Sequence, residues 1–406
     1  MKVSEIRRPF PALDTKVYGK GLVYLDNAAT AQRPREVVEC WNGLVYSSNG
    51  NIHRAVHRLS ADATKAYEAA RDRVKEFINA ASREEVVFTS GTTNSINLVA
   101  YSFGEAFVNE GDEIIVSASG HHSNIVPWQM LCNRKGAVLK VLCPSPSGQL
   151  EASALGSLIT SRTKIVAIEH ISNVLGLVNP VADLVKVCHA HGVPVLVDGA
   201  QGIVHQKLDV QALDCDFYVF SGHKIYAATG TGVLYGKKRW LEAMPPFMGG
   251  GEMIDHVRFS GTTFAPLPQK FEAGTQNFNS MPTLVPALDM AEAFFADEDI
   301  AERQKEIMNV VLSKLTGDER ITLYGNDPAA KVPVFSFAVK GAHHEDLALI
   351  LDKMGIAVRS GQMCAEPLMD YLGVTGLLRA SFAPYNTVEE AEYFVKCLDR
   401  AIDMLI

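Results

Sequence analysis

Two residues able to bind one aromatic cofactor stand at the ends of predicted strands. Lys224 closes a Ser-Gly-His-Lys run at residues 221–224, and Asp198 directly follows the apolar run 195–197. A desolvated lysine can form a Schiff base with an aldehyde, and a carboxylate can keep a pyridine nitrogen protonated. Together they favour pyridoxal phosphate as a cofactor. Taken singly, Lys224 is more typical of a solvated surface lysine, and Asp198 could be a turn residue.

A phosphate site is predicted where a helix begins after the strand at 86–88. Residues 89–94 are Thr-Ser-Gly-Thr-Thr-Asn, so backbone N–H groups and hydroxyls of Thr92 and Thr93 surround the helix N-terminus. Ser221 and His223, beside the lysine, could donate further hydrogen bonds to a phosphate. The alternative is an ordinary threonine N-cap without a ligand.

The histidine pair His121 and His122 follows the strand predicted at 114–116. A histidine at a strand end can stack on a flat ring or move protons. Adjacent residues do not share a face, and no nearby acid or cysteine completes a ligand set, so we predict no metal site.

A loop that presents a thiol is predicted at residues 359–367, which are Arg-Ser-Gly-Gln-Met-Cys-Ala-Glu-Pro. Cys364 stands in it between a glycine and a proline, with Arg359 at its start. Further on, Arg379 lies inside an apolar stretch and needs an anionic partner. That partner could be a substrate carboxylate or an acid of the chain itself.

Composition bounds the class of protein. The chain has 406 residues, 47% of them hydrophobic and 21% charged, which is typical of a globular protein of two domains. A formal net charge of −8 argues against nucleic-acid binding. No apolar run is long enough to span a membrane, and residues 1–13 lack the apolar core of a signal peptide, so we expect a cytoplasmic protein. Seven scattered cysteines without a C-x-x-C pair argue against disulfides and structural zinc.

The elements that must position these residues alternate between strand and helix from about residue 85 to 240. We predict strands at 86–88, 114–116, 138–141, 165–168, 195–197, 217–220 and 233–235, with helices between them such as 180–191. This alternation predicts an α/β fold with a mostly parallel sheet flanked by helices, which binds ligands at the carboxyl ends of its strands.

A smaller α+β domain is predicted towards the C-terminus, with long helices at 300–315 and 388–405. We predict a large domain over 20–290. The small domain would comprise 1–19 and 291–406 and would carry the Cys364 loop.

In combination these residues resemble the fold-type I pyridoxal-phosphate enzymes of the class V aminotransferase superfamily. Within it, the chain resembles the group II cysteine desulfurases, and most closely those of the SUF system. The motifs that carry the resemblance are Tyr-Leu-Asp-Asn-Ala-Ala at 24–29, Asn-Ile-His-Arg at 51–54, Asp-Gly-Ala-Gln at 198–201, the run 221–224, the loop 359–364 and Arg-Ala-Ser at 379–381.

The resemblance implies a role for each candidate. Lys224 would hold pyridoxal phosphate covalently and move the Cα proton, Asp198 would pair with the ring nitrogen, and His121 would stack on the ring. Implied cofactor contacts are Gln201 and Asn173 near the phenolic oxygen, Thr92, Thr93, Ser221 and His223 at the phosphate, and Thr275 from the other subunit of a homodimer. Implied substrate contacts are Arg379 and Arg359 with the carboxylate, together with Asn173 and Ala28.

The implied reaction is removal of sulfur from L-cysteine. The Cys364 thiolate would attack the substrate sulfur, leaving L-alanine and an enzyme persulfide that passes to a SufE-like acceptor for iron–sulfur cluster assembly. Only a thiolate attacks well, and a cation such as Arg359 would favour that form. A selenocysteine lyase is the nearest alternative. An aminotransferase has no use for Cys364, and a non-catalytic scaffold for sulfur-transfer partners has no use for the cofactor residues.

Five positions depart from the group II pattern. Met363 stands before Cys364 where a histidine is common, and Gly120 stands where a glutamate is common. Two alanines at 227–228 replace Gly-Pro after the cofactor lysine, and Gln276 replaces a proline. Because all of the principal contacts remain, we expect altered rates and the same reaction.

Overall fold

A seven-stranded sheet forms the centre of the molecule in a computed structural model that describes residues 1–406. Only Gly232–Gly236 runs antiparallel to its neighbours, and the other strands run in one direction. The predicted α/β fold with a mostly parallel sheet is therefore confirmed. The spatial order of strands is Val86–Thr89, Gly232–Gly236, Phe217–Ser221, Val195–Asp198, Thr163–Glu169, Glu113–Ser117 and Val138–Leu142.

The central strands are apolar along most of their length because helices cover both faces of the sheet. Val195 and Val197 pack into one core, whereas Leu196 between them packs into the core on the opposite face. The first core includes side chains of Val181–Ala190 and the second includes those of Thr92–Phe107. The strand ends are thereby held on both sides.

A second sheet of four antiparallel strands lies in the C-terminal part of the chain. Its order is Ile321–Tyr324, Val334–Val339, Leu377–Ser381 and Arg359–Gly361. The helices Glu298–Gly317 and Val388–Leu405 share its core. The last helix begins after Thr387, whose hydroxyl accepts from Glu390 N (3.1 Å) while Glu390 Oε2 accepts from Thr387 N (3.2 Å). This capping box explains why the helix begins at the predicted residue.

Residues on both sides of the predicted domain boundaries share cores. Phe10 is buried with the core of the large sheet, although the N-terminal segment was assigned to the small domain. Conversely, Val23 and Leu25 pack with the core of the small sheet. The division into 20–290 and 1–19 with 291–406 therefore stays a prediction.

The remaining elements are short strand pairs and helices. None of the helices is both long and apolar enough to span a membrane. The paired strands are Lys16–Val17 with Lys20–Gly21, Val23–Tyr24 with Ile356–Ala357, and Ile254–Arg258 with Gly261–Phe264. The other helices are Val3–Arg7, Arg35–Ser47, Arg58–Phe77, Val126–Lys135, Ala152–Leu158, Gly202–His205, Val210–Leu213, Lys238–Ala243, Leu284–Phe295, His344–Lys353 and Glu366–Leu372.

Candidate active site

One cavity of about 330 Å³ gathers every predicted site residue except Thr275. It opens where the parallel strands end, between the large sheet and the loop that carries Cys364. Its lining is Ala28, Ala29, Thr92, Thr93, His121, Ser123, Glu169, Ile171, Asn173, Asp198, Ala200, Gln201, Ser221, His223, Lys224, Arg359, Met363, Cys364 and Arg379.

Asp198 and Lys224 are brought together by strand pairing. Asp198 ends its strand opposite Val219, and Lys224 lies in the 3₁₀ turn that follows the strand Phe217–Ser221. Burial lowers the pKa of the Lys224 amine to about 8, against the opposing effect of the nearby Asp198 carboxylate. The neutral, nucleophilic amine is therefore more accessible near neutral pH than in an ordinary lysine.

Asp198 is a buried acid that forms no salt bridge within the chain. Its Oδ1 accepts from Ala200 N (3.0 Å), and it takes part in no ion pair. Burial raises its pKa, whereas the hydrogen bond from Ala200 N and the charge of Lys224 act in the opposite direction. A cationic ring nitrogen in the cavity would supply the direct ion-pair partner that Asp198 lacks.

Hydroxyl groups surround the N-terminus of the helix Thr92–Phe107, as the predicted phosphate site requires. Ser221 Oγ accepts from Thr92 N (2.8 Å) and lies 2.8 Å from Thr92 Oγ1. Thr93 Oγ1 lies 2.7 Å from the hydroxyl of Ser123, a residue not predicted from the sequence. A Cβ at Gly232 would lie 2.3 Å from the backbone of Gly91, so only glycine allows this turn to approach the sheet.

Both histidines predicted at the cofactor are neutral in the cavity. Burial, followed by the charge of Lys224, lowers the pKa of His121 to about 4 and that of His223 to about 4. His121 Nδ1 accepts from Ser123 N (3.1 Å), which leaves the hydrogen on Nε2. No three histidine, cysteine, aspartate or glutamate side chains come together in a way that could hold a metal ion.

Three polar groups connect the cavity wall to its surroundings. Gln201 Nε2 donates to Ala28 O (2.7 Å), so these two predicted residues are in direct contact. The backbone carbonyl oxygen of Asn173 accepts from Arg379 Nη1 (2.8 Å). The side-chain Nδ2 of Asn173 donates to Met363 O (2.9 Å). Asn173 therefore links the buried arginine to the cysteine loop.

Asp26, which the sequence did not single out as a partner, joins the two predicted carboxylate-binding arginines. It accepts from Arg359 Nη2 (2.6 Å) and from Arg379 Nη2 (3.4 Å). Arg379 is buried, and its Nε has no hydrogen-bond partner. The internal salt bridge considered for Arg379 thus exists, while Nε of the same guanidinium makes no hydrogen bond within the chain.

Cys364 lines the cavity and is also exposed to solvent. The other exposed cysteine is Cys143, which lies outside the cavity. Cys364 can therefore contact both a small molecule inside and a macromolecule outside.

Glu169 is the main site residue that the sequence reasoning missed. It ends the strand beside Asp198, and its Oε1 accepts from Ser119 Oγ (2.5 Å) and lies 3.2 Å from Ser117 Oγ. Its Oε2 has no partner, and burial, with a smaller effect of Asp198, raises the pKa to about 7. Its position after a predicted strand was an available signal, the same one that pointed to Asp198.

Thr275 lies outside the cavity of its own chain and is exposed. Just before it, Glu272 is buried and accepts from Arg71 Nη1 (2.7 Å) and from Phe88 N (2.7 Å). This buried pair anchors the segment that presents Thr275 at the surface.

The sequence matches the aminotransferase class-V family over residues 23–394. This match spans most of the chain, and the chain therefore belongs to that family.

Within the family, the chain groups with the cysteine desulfurases. It is 47% identical to a cysteine desulfurase of Cronobacter sakazakii over 98% of both chains, and 44% identical to a probable cysteine desulfurase of Vibrio cholerae over 100% of both. The fold matches the crystal structure of the cysteine desulfurase CsdA (S-sulfonic acid) of Escherichia coli, at 40% identity, TM-score 0.88 and 100% coverage of both chains. It also matches the apo cysteine desulfurase of Thermococcus onnurineus, at 35% identity, TM-score 0.93 and coverage of 100% and 99%. These matches confirm the predicted fold type and the resemblance.

Proposed function

We propose that this chain is a cysteine desulfurase of group II that uses pyridoxal phosphate and forms a persulfide on Cys364. The observation that carries the proposal is that one cavity holds both an amine with a lowered pKa, Lys224, and a solvent-exposed thiol, Cys364. Membership of the desulfurase group supports the same reaction.

The cavity fits pyridoxal phosphate in its donor set. Asp198 offers a buried carboxyl without a cationic partner, and the hydroxyls around Thr92 offer a phosphate cradle at a helix N-terminus. Lys224 would bind the aldehyde carbon, and His121 would lie against the ring. When bound, the group supplies an electron sink that acidifies the Cα–H bond of an attached amino acid and labilises its Cβ–Sγ bond.

The chain's own residues then bind the substrate and move its protons. Arg379 Nε, buried without a partner, would donate to the carboxylate of L-cysteine. The Lys224 amine, whose pKa burial lowers to about 8 in the chain alone, would take the proton from Cα. Neutral His121 has its hydrogen on Nε2 and could exchange a proton with the substrate thiol.

Sulfur transfer balances without an external oxidant. The Cys364 thiolate forms an S–S bond as the substrate Cβ–Sγ bond breaks, and Cβ gains a proton to become the methyl group of L-alanine. The Cys364 sulfur is oxidised to the persulfide level and the substrate carbon is reduced. Because Cys364 is exposed, we propose that a small SufE-like protein then receives the sulfur for iron–sulfur cluster assembly.

A homodimer is part of the proposal. Thr275 is exposed, and so are two apolar side chains that a second subunit could cover, Val56 (106%) and Phe259 (115%). Thr275 would then reach the phosphate site of the partner. The predicted cytoplasmic location stays a prediction.

The test is stoichiometric conversion of L-cysteine by protein supplied with pyridoxal phosphate. We expect one L-alanine per cysteine consumed, release of sulfide with a reductant, and a faster reaction with a thiol-bearing acceptor protein. L-selenocysteine in a parallel assay tests the lyase alternative, which requires a clear preference for selenium. A protein that stays colourless with the cofactor and forms no alanine would contradict the proposal.

A further inference from the structure

Cys364 lies in a strained turn. Met363 has φ 51° and Cys364 has φ 56°, so two successive residues that are not glycine adopt the left-handed conformation. This conformation crowds Cβ against the backbone, so it persists only where surrounding contacts enforce it. The thiol therefore depends on other residues to keep it at the cavity.

His122 contacts the carbonyl oxygen of Cys364 and the backbone two residues further along the chain. Its backbone N donates to Cys364 O (2.7 Å), and its ring Nε2 accepts from Glu366 N (2.9 Å). Glu366 N is the first backbone N–H of the helix Glu366–Leu372 and has no partner within that helix. His122 thus holds the chain at Cys364 and directly after it.

His122 is itself firmly held. It begins a 3₁₀ turn after the strand Glu113–Ser117, and its carbonyl oxygen accepts from Ile125 N (3.1 Å). Two residues on, buried Asn124 accepts from Trp128 Nε1 (3.1 Å). Movement of the cysteine loop is therefore resisted by the large sheet through this turn.

The ring chemistry of His122 indicates how it acts. Because Nε2 accepts a hydrogen bond from a backbone amide, the neutral ring carries its hydrogen on Nδ1. The same Nε2 cannot give a proton to the Cys364 thiol while it accepts from Glu366 N. This separates His122 from the neighbouring His121, which lines the cavity.

We propose that His122 is a positioning residue that holds the Cys364 turn at the cavity through Nε2 as an acceptor. The inference rests on the proposed function for its kinetic consequence, whereas the positioning itself does not require catalysis. The contact of Asn173 Nδ2 with Met363 O (2.9 Å) supports the turn from the other side.

Three substitutions separate positioning from acid–base chemistry. The side-chain oxygen of His122→Gln can reach the place of Nε2 and restore the acceptor, whereas that of His122→Asn reaches only the place of Nδ1. His122→Ala removes the side-chain acceptor altogether and keeps the backbone contact with Cys364 O. We expect His122→Asn and His122→Ala to lower kcat for alanine formation by about 10²-fold, as for a misplaced reacting group, and His122→Gln to stay within about threefold of the wild type. Cofactor absorbance should be unchanged in all three.

Amide hydrogen exchange provides the readout that does not depend on activity. In cofactor-free protein, the segment 359–372 should exchange faster in His122→Asn and His122→Ala, and at the wild-type rate in His122→Gln.

If wild-type protein forms no alanine, the proposed function fails while the exchange data still test the positioning. Unchanged exchange in His122→Ala, or a His122→Gln variant as impaired as His122→Asn, would overturn the inference. Thermal unfolding of each variant identifies any global loss of structure. If alanine prevents folding, the Asn and Gln variants, two amides that differ by one methylene group, remain decisive.

Discussion

The two reacting ends of the cavity are built in opposite ways. Asp198 and Lys224 follow paired strands of a sheet covered on both faces, so backbone register and packing locate them. Cys364 lies in an exposed turn with left-handed backbone, held by individual hydrogen bonds from His122 and Asn173. The difference suits the two tasks, since a bound cofactor needs a preorganised desolvated site and a sulfur carrier needs a thiol that also meets solvent.

The strongest way to separate the two ends is Lys224→Ala. Without the amine, the chain can neither bind the cofactor covalently nor move the Cα proton, so alanine formation should fall by at least about 10³-fold. The absorbance of covalently bound cofactor should disappear. Alkylation of Cys364 by iodoacetamide in cofactor-free protein should persist, because the cysteine turn is supported independently. A coupled loss of thiol reactivity would contradict the comparison.

At the buried end of the cavity, Glu169→Gln should change how the free energy of unfolding depends on pH. Since burial raises the pKa of Glu169 from 4.5 to about 7, the unfolded chain loses this proton first as the pH rises, and the folded state loses stability between these two values. Glutamine stays neutral, so the variant should match the wild type at pH 4.5 and be more stable by roughly 3 kcal/mol above pH 7. Urea unfolding of cofactor-free protein measures this difference.

The exposed Glu319→Gln is the matched control and should give no pH-dependent difference in the free energy of unfolding. A constant difference between Glu169→Gln and the wild type at all pH values would mean that Glu169 is not held neutral.

The attachment of the cofactor should follow the titration of Lys224. The neutral amine attacks, so the rate of covalent binding to cofactor-free protein should rise with pH through a midpoint near 8. Asp198→Asn removes the charge that favours the ammonium form, so its midpoint should lie lower. Stopped-flow absorbance gives both midpoints. A midpoint near the ordinary lysine value of about 10.4 would show that burial does not control this amine.

The smallest effect is expected at the exposed end, in Gln362→Ala. Its side chain makes one long contact with Glu366 Oε1 (3.4 Å), and both residues are exposed. Stability should change by less than about 0.5 kcal/mol and kcat by less than about twofold. A tenfold loss in the alanine assay would instead assign the Gln362 side chain a part in proton transfer.

The sequence was most informative where local pattern decides structure. The runs 195–197 and 217–220 were predicted within a residue of the observed strands. Because ligands bind at the carboxyl ends of parallel strands, this placed Asp198 and Lys224 in one site. The same rule applied to Glu169 would have found the second buried acid. The glycine and proline around Cys364 predicted a loop that presents a thiol and the resemblance supplied its role, but no local pattern encodes its left-handed backbone.

Contacts between distant segments explain what sequence reasoning could not supply. His122 meets the cysteine loop 244 residues away in the chain through Glu366 N, and Asp26 meets Arg359 across 333 residues. Side-chain periodicity describes which face of an element is buried and carries no information about such pairings. They depend on how the second sheet docks against the first.

The most direct test of the account is the location of sulfur after one turnover. Cofactor-loaded protein is mixed with L-cysteine, alkylated and digested, and each cysteine peptide is examined by mass spectrometry. We predict one added sulfur atom on Cys364 in the wild type and in Cys143→Ser, and none in Cys364→Ser, which should keep its cofactor absorbance. Added sulfur on Cys143 in place of Cys364, or alanine formation by Cys364→Ser at the wild-type rate, would contradict the claim that this cavity joins cofactor and thiol in one reaction.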